Sequence, residues 1–397
     1  MCALAELLSH RGASVSGSDV EDRFYTDAIL ADMGIAVRPF SPDNVSLELD
    51  LVVHSAAYAP ERHPELMRAA ELGVRTLSYP EALGAFSRRR FSCGIAGVNG
   101  KTTTTALAGS LVKGMGIRAT VLAGSAVTSF GGRSTLHNGD DFFIAETCEY
   151  RRHFLNFSPG LILLTGIEPD HQDYYPDYAS IRDAFVEYIL SLPRAGTLIY
   201  CADDPGARDA LSIARESRPD IEAVPYGFEA QGPFRLSSYE VSGERAFFSL
   251  GISKERFALR VPGRHVALDA AGALALALFL ASRERLGTPD EALLARAAAA
   301  LEDFRGSRRR SEILGTARGI LFMDDYAHHP SAIRTTLAGL REFYPKRRIV
   351  VDFMSHTYSR TRALFEEFAG AFSDADLVVC HKIYASAREA PDDSVSG

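Results

Sequence analysis

Residues 94–109 read GIAGVNGKTTTTALAG, and this stretch constrains the fold more than any other in the 397-residue chain. An apolar, strand-like run, FSCGIAG, leads into a glycine turn, and a helix-patterned segment, TTTTALAGSLVKGMG, follows it. A turn in that setting points backbone N–H groups and a helix N-terminus at an anion. Lys101 would supply a point positive charge and the Thr102 hydroxyl would sit on Mg2+. The front of the loop departs from the Walker pattern of glycine, four residues, then Gly-Lys-Ser/Thr. Ile95 holds the first glycine's place, and the loop runs Gly97-Val98-Asn99-Gly100-Lys101-Thr102-Thr103. The plain alternative is a glycine turn with a solvated lysine and a threonine cap.

Around this turn the chain alternates strand and helix patterns, which predicts an α/β fold of two or three domains. MCALAELLSHRG reads as a helix ending at Gly12, ASVSGSD as a short strand, YTDAILADMG as a helix and LDLVVHSAA as a buried parallel strand. The chain thus opens inside a helix, where a Rossmann-like unit begins with strand and glycine turn. Strands are expected at DFFIAE, LILLTGI and GTLIYCADD, then antiparallel hairpins at FRLSSYEV and RAFFSLGI, then a long helix from Val266 and another closing near Phe304. The rest returns to strand–helix alternation: GILFMDDYA, HPSAIRTTLAGLREFY, RRIVVDFM, RTRALFEEFAGAF and ADLVVCHKI.

The net charge of −8 argues against general binding to nucleic acid or acidic membrane, although Arg308-Arg309-Arg310 stand together. Five scattered cysteines, with no C-x-x-C pair, suit a reducing cytoplasm rather than a disulfide framework. The most apolar run, AAGALALALFLAS, is shorter than the ~20 helical residues that span a bilayer, so no membrane insertion is expected. Oligomeric state is not legible. Carboxyl ends of strands are where open α/β sheets bind ligands. Glu146, at the end of FFIAE, and His171, after LLTGI, are therefore placed to converge on the glycine turn, with Glu149, Glu168, Asp170 and Asp173 nearby. Read singly, Glu146 also reads as a loop carboxylate in water and His171 as a capping or core histidine.

In order along the chain, GVNGKTTTT, AETCEY, TGIEPDHQDYY, VPGRH, FRGSRRRSE, DDYAHHP and HTYSRT resemble the Mur ligases of peptidoglycan synthesis, and the likeness runs from Met1 to Gly397. The opening residues resemble that family's first domain just after its glycine-rich UDP-sugar loop, and YASAREAP to VSG resembles a point within its third. The resemblance implies three domains: a UDP-substrate domain over residues 1–88 with its first strand missing, a central ATP-binding domain over 89–304 with a mixed sheet, and an incomplete C-terminal amino-acid-binding domain over 305–397. It implies ATP and Mg2+ as cofactors, UDP-N-acetylmuramate and L-alanine as substrates, and amide formation through an acyl phosphate.

By motif, Thr102, Glu146 and His171 would hold the metal. Residues Gly97 to Thr103, with His265, Arg309, Asp324 and Tyr326, would meet ATP. His54, Ser55, Arg310, His356 and Arg360 would meet substrate, with Arg360 on the alanine carboxylate, and His329 would join Lys101 and the others in catalysis. Singly, the three arginines also read as a solvated charge run and the His328-His329 pair as a helix start. Four departures stand out: Val266 and Asp269 where the family commonly has asparagine, Thr357 where arginine is usual, and Cys148, expected as a buried thiol, where a carboxylate is common. HTYSRT and the altered TCEY leave room for a sibling ligase with another amino acid or peptide acceptor. The cut-looking ends leave room for a nucleotide-binding module without turnover.

Overall fold

The computed structural model describes residues 1–22, 24–284, 290–385 and 394–395. Most of YASAREAP and part of VSG lie outside these residues. The N-terminal part holds α1 (Cys2–His10), β1 (Gly17–Asp19), α2 (Tyr25–Asp32), β2 (Val37–Pro39), β3 (Val52–His54), α3 (Pro64–Leu72), β4 (Thr76–Ser78) and α4 (Tyr79–Ser87). Its strands form two separate parallel ladders, β1–β2 and β3–β4. Strand β3, read as a buried strand, is only half-buried.

The central part is built on β5 (Phe91–Ala96), α5 (Lys101–Met115), β6 (Ala119–Val127), β7 (Arg133–His137), β8 (Phe142–Glu146), β9 (Leu161–Leu164), α6 (Tyr178–Leu190), β10 (Thr197–Cys201), α7 (Pro205–Ser217) and β11 (Glu222–Tyr226). These strands make one seven-stranded sheet, in the order β11-β10-β9-β5-β8-β6-β7, parallel except for the edge strand β7. Covered on both faces, β5 and β9 read as nearly continuous apolar runs, as buried parallel strands do. The hairpins expected next form a three-stranded antiparallel sheet of β12 (Leu236–Val241), β13 (Ala246–Leu250) and β14 (Arg256–Leu259). Then come α8 (Arg264–Arg283) and α9 (Glu291–Glu302), which pack on α5.

One apolar core fills the α5, α8 and α9 side of the large sheet, and a second lies under α1, α4, α6 and α7. Gly114 lets α5 and α9 approach: a Cβ there would lie 2.7 Å from the Ala300 Cβ. By length and composition α8 could cross a membrane, yet 78% of its most apolar stretch is buried inside the molecule. The 13-residue apolar run of the sequence is thus part of a 20-residue core helix.

The C-terminal part opens with an antiparallel hairpin, β15 (Glu312–Ala317) and β16 (Ile320–Asp324), of which only the second strand was expected. It continues with α10 (Pro330–Phe343), β17 (Val350–Phe353), α11 (Tyr358–Ala363), α12 (Phe365–Ala369) and β18 (Leu377–Cys380), which runs parallel to β17. The single helix expected over RTRALFEEFAGAF is broken at Leu364, whose φ of −118° and ψ of 28° leave the helical range.

Candidate functional site

β5 lies at the centre of the large sheet, and the chain leaves it to the β8–β6–β7 side before returning through β9 to the other. A crevice opens at such a switch point, beyond the carboxyl ends of the strands. The glycine turn occupies it. Gly97 (φ 139°) and Gly100 (φ 80°) take left-handed backbone that suits glycine. The turn is strapped to the end of β9: the Val98 N–H donates to the Gly166 carbonyl at 2.9 Å, and the Thr165 hydroxyl donates to the Asn99 carbonyl. Asn99 donates its side-chain amide to Glu168. Gly100 caps α5 without a side chain, so the first-turn amides have no side-chain acceptor.

Two carboxylates from the AETCEY segment meet the start of α5. The Thr102 hydroxyl donates to Glu146 Oε2 at 2.9 Å, and the Gly124 N–H donates to the same oxygen at 2.8 Å. Lys101 folds back over the turn, donating to the Gly97 carbonyl, to the Val98 carbonyl at 3.2 Å and to Glu149 Oε2 at 2.8 Å. His171 Nε2 lies 3.2 Å from Glu149 Oε1. Burial pulls the Lys101 ammonium down, but Glu149 and, more weakly, Cys148 and Glu146 hold it above its ordinary value. Burial pushes the Glu149 carboxyl up, and Lys101 and His171 outweigh it to hold it below the usual range.

Mg2+ takes few protein oxygens and keeps waters, so the adjacent Thr102 hydroxyl and Glu146 carboxylate fit it. His171 here faces Glu149, and among the described residues no group of three or more His, Cys, Asp or Glu stands ready-made around a metal position. Cys148, between the two glutamates in the loop after β8, is exposed, not the buried thiol expected.

Beside the turn lies a cavity of about 280 Å³ whose lining includes Tyr226, Val261, His265, Val266, Phe304 and Arg310. Its mixture of apolar walls and a few polar groups suits a planar base. Burial drives the His265 imidazole down to about 4, and its Nδ1 is buried without a hydrogen-bond partner. Asp269 stands behind the turn, where a Cβ on Gly100 would lie 2.7 Å from its Oδ1. Burial pushes its carboxyl up to about 8, against smaller downward pulls from the Thr104 hydroxyl and Arg310.

From the C-terminal part, Arg309 pairs with Asp324 at 3.4 Å and lies 5.0 Å from the Tyr326 ring centre, while Arg310 lies 5.1 Å from the same ring. His329 caps α10: its Nδ1 lies 2.8 Å from the Ser331 hydroxyl, and its buried Nε2 has no hydrogen-bond partner among the described residues. Ser331 in turn donates to Glu168 Oε1 at 2.9 Å. Burial, reinforced by Arg360, lowers the neighbouring His328 to about 4. Arg360, the residue expected to meet the alanine carboxylate, is buried, with Nε at 3.2 Å and Nη2 at 2.9 Å from Asp170 Oδ1. Its Nη1 donates to the His356 carbonyl at 3.4 Å, and the His356 ring stacks on Tyr384. His54 and Ser55 stand apart at the tip of β3. His54 lines a different cavity of about 400 Å³ that shares no lining residue with the first. The bridging of Glu149 and the pairing of Asp170 were not foreseen; their only signal was a position just past a strand end.

A strapped glycine turn at a switch point, a lysine held inside it and a threonine–carboxylate pair behind it define a nucleotide-binding α/β protein of phosphate-loop type. Three family models cover the chain in order: "Mur ligase family, catalytic domain" over residues 1–91, "Mur ligase middle domain" over 95–277 and "Mur ligase, glutamate ligase domain" over 309–396. The chain belongs to the Mur ligase family. It is 56% identical over 399 residues to the UDP-N-acetylmuramate–L-alanine ligase of Treponema pallidum, a match spanning 100% of this chain and 82% of that one. To the ligase of the same name from Borreliella burgdorferi it is 40% identical, over 98% of this chain and 83% of the other. The crystal structure of the Thermotoga maritima UDP-N-acetylmuramate–alanine ligase superposes with a TM-score of 0.75 at 26% identity, covering 97% of this chain and 83% of that one.

Proposed function

We infer that this chain joins L-alanine to the lactyl carboxylate of UDP-N-acetylmuramate, using ATP and releasing ADP and phosphate, as a step of peptidoglycan synthesis. The observation that carries the chemistry is the glycine turn with Lys101 inside it and the Thr102–Glu146 pair behind it. The substrate assignment is supported by relatives of that name at 40–56% identity over nearly the whole chain.

A carboxylate is a poor electrophile, so its oxygen first attacks the γ-phosphorus, ADP leaves, and an acyl phosphate forms. The alanine nitrogen then attacks the acyl carbon, the C–O bond to phosphate breaks, and the nitrogen gives up a proton. In this reading the amides of Gly97 to Thr103 and the Lys101 ammonium balance the charge on the transferring oxygens. Mg2+, held by Thr102 and Glu146 with His171 as third candidate, would add positive charge there. The cavity beside His265 takes the base, with Val266 against its ring. Arg309, Asp324 and Tyr326 close over the nucleotide, Arg310 and His329 face the cleft, and His356 and Arg360 border the amino acid. His54 and Ser55 meet the UDP-linked substrate. A cytoplasmic setting goes with these substrates.

The test is phosphate release from ATP with each substrate omitted in turn. Release that needs both UDP-N-acetylmuramate and L-alanine is expected. Dependence on a different amine would move the assignment to a sibling ligase, and ATP binding without substrate-dependent release would leave a binding module.

A further inference from the structure

Lys101 is the cation that the phosphate loop offers to a triphosphate, yet all three of its ammonium hydrogens have acceptors: the Gly97 and Val98 carbonyls and Glu149. A phosphate can reach it only by displacing one of them. The two carbonyls are neutral and belong to the turn itself. Glu149 is different. Its side chain is 2% exposed, and its other oxygen faces His171, the candidate metal ligand on the far side. The Tyr175 hydroxyl donates to its backbone carbonyl at 2.5 Å, which fixes the residue between the loops after β8 and β9.

We propose that Glu149 is a positioning residue that holds Lys101 in reserve, competing with the triphosphate for it and releasing it when a divalent cation balances the charge. A buried carboxylate that loses its partner is costly. Glu146 acts on Lys101 as a second negative charge, so an incoming triphosphate adds to an existing acidic excess. Positive charge brought by the cation between Thr102 and Glu146 removes that excess, and Lys101 can then turn to the phosphates. Metal and nucleotide are thereby coupled through one side chain, and such coupling is reciprocal, commonly about 5- to 150-fold. The proposal rests on the ATP-dependent reading above.

The experiment measures equilibrium binding of ATP to the whole chain in the presence of EDTA, for wild type, Glu149→Gln and Glu149→Asp, beside steady-state rates with Mg2+ and both substrates. Glutamine keeps the shape and removes the charge, so Glu149→Gln should bind ATP without metal about tenfold more tightly than wild type. With Mg2+ its kcat should fall tenfold or more while KM for ATP stays level or drops, because His171 loses the carboxylate that orients it. Aspartate keeps the charge one methylene further back, and its metal-free affinity should lie between the other two. Glu149→Gln with unchanged or weaker metal-free binding at an undiminished melting temperature would overturn the proposal. So would Glu149→Asp binding more tightly than Glu149→Gln, the readout that remains should the glutamine variant not fold. ATP failing to bind the wild type with or without Mg2+ would instead overturn the functional reading beneath it.

Discussion

Lys101 is the only charged side chain within the glycine turn itself, and its value lies in being held there before the phosphates arrive. Lys101→Ala should lower kcat by about 10²-fold or more, the scale on which removal of a single preorganised charge donor is felt, measured as substrate-dependent phosphate release. Asp269 makes a different kind of prediction. Its carboxyl is raised by burial to about 8 from 3.8, so the folded chain keeps a proton that the unfolded chain gives up between those values. Stability is therefore full below the ordinary carboxylate range and falls as pH rises toward 8. Asp269→Asn should remove this slope, and the gap between variant and wild-type melting temperatures should widen in the variant's favour from pH 5 to pH 8; parallel curves would contradict the burial argument. Thr102, Glu146 and Lys101 were legible because motif spacing and strand ends fix where they fall. The role of Glu149 was not, since its partners lie 48 residues before it and 22 after it. Cys148 misled for a related reason: thiols favour burial in general, but a residue in a two-carboxylate turn is placed by the backbone.

At the scale of elements, two glycines set what the central sheet can hold. A Cβ on Gly94, in β5, would collide with the Tyr188 hydroxyl and lie 3.3 Å from its Cζ. Gly94→Ala should cost about 1–3 kcal/mol of stability by overpacking, read from urea denaturation. Gly124, in β6, has its N–H on Glu146, and a Cβ there would lie 2.8 Å from the Glu146 Cδ. Gly124→Ala should therefore displace the carboxylate and raise the Mg2+ concentration needed for half-maximal rate, with a smaller loss of stability than Gly94→Ala. Elements with strong apolar patterns, α5, α8 and β9, could be read from the sequence because burial of most of their residues leaves few alternatives. β15 could not, since five of its six residues are exposed and its Gly315 sits at φ 150°. The three-residue strands of the N-terminal part are too short for their pattern to report a shared sheet.

Across the whole molecule, polar and charged contacts join the parts. Arg360 crosses from the C-terminal part to Asp170, and Ser331 crosses to Glu168. Arg133 reaches Asp32, and Arg308 lies 4.2 Å from the Tyr25 ring centre. Asp170 is held down to about 2: burial pushes it up, but His171 and Arg360 outweigh it. Asp170→Asn should leave Arg360 without its charged partner and raise KM for L-alanine about 30-fold or more, the ~2 kcal/mol lower end for a broken buried charge pair, with little change in ATP affinity. We propose the divisions at 88/89 and 304/305 as the boundaries between parts. The order of parts was legible from seven motifs in sequence, whereas their docking was not, because its pairs lie far apart in the chain. The account stands on amides 97–103 gripping a triphosphate while Thr102 and Glu146 share its cation. A crystal structure with a non-hydrolysable ATP analogue and Mn2+ tests this most directly. It should show the phosphates within hydrogen-bond reach of those amides, Lys101 turned from Glu149 toward them, and an anomalous metal peak beside Thr102 and Glu146. An empty turn, or a metal away from Glu146, would contradict it.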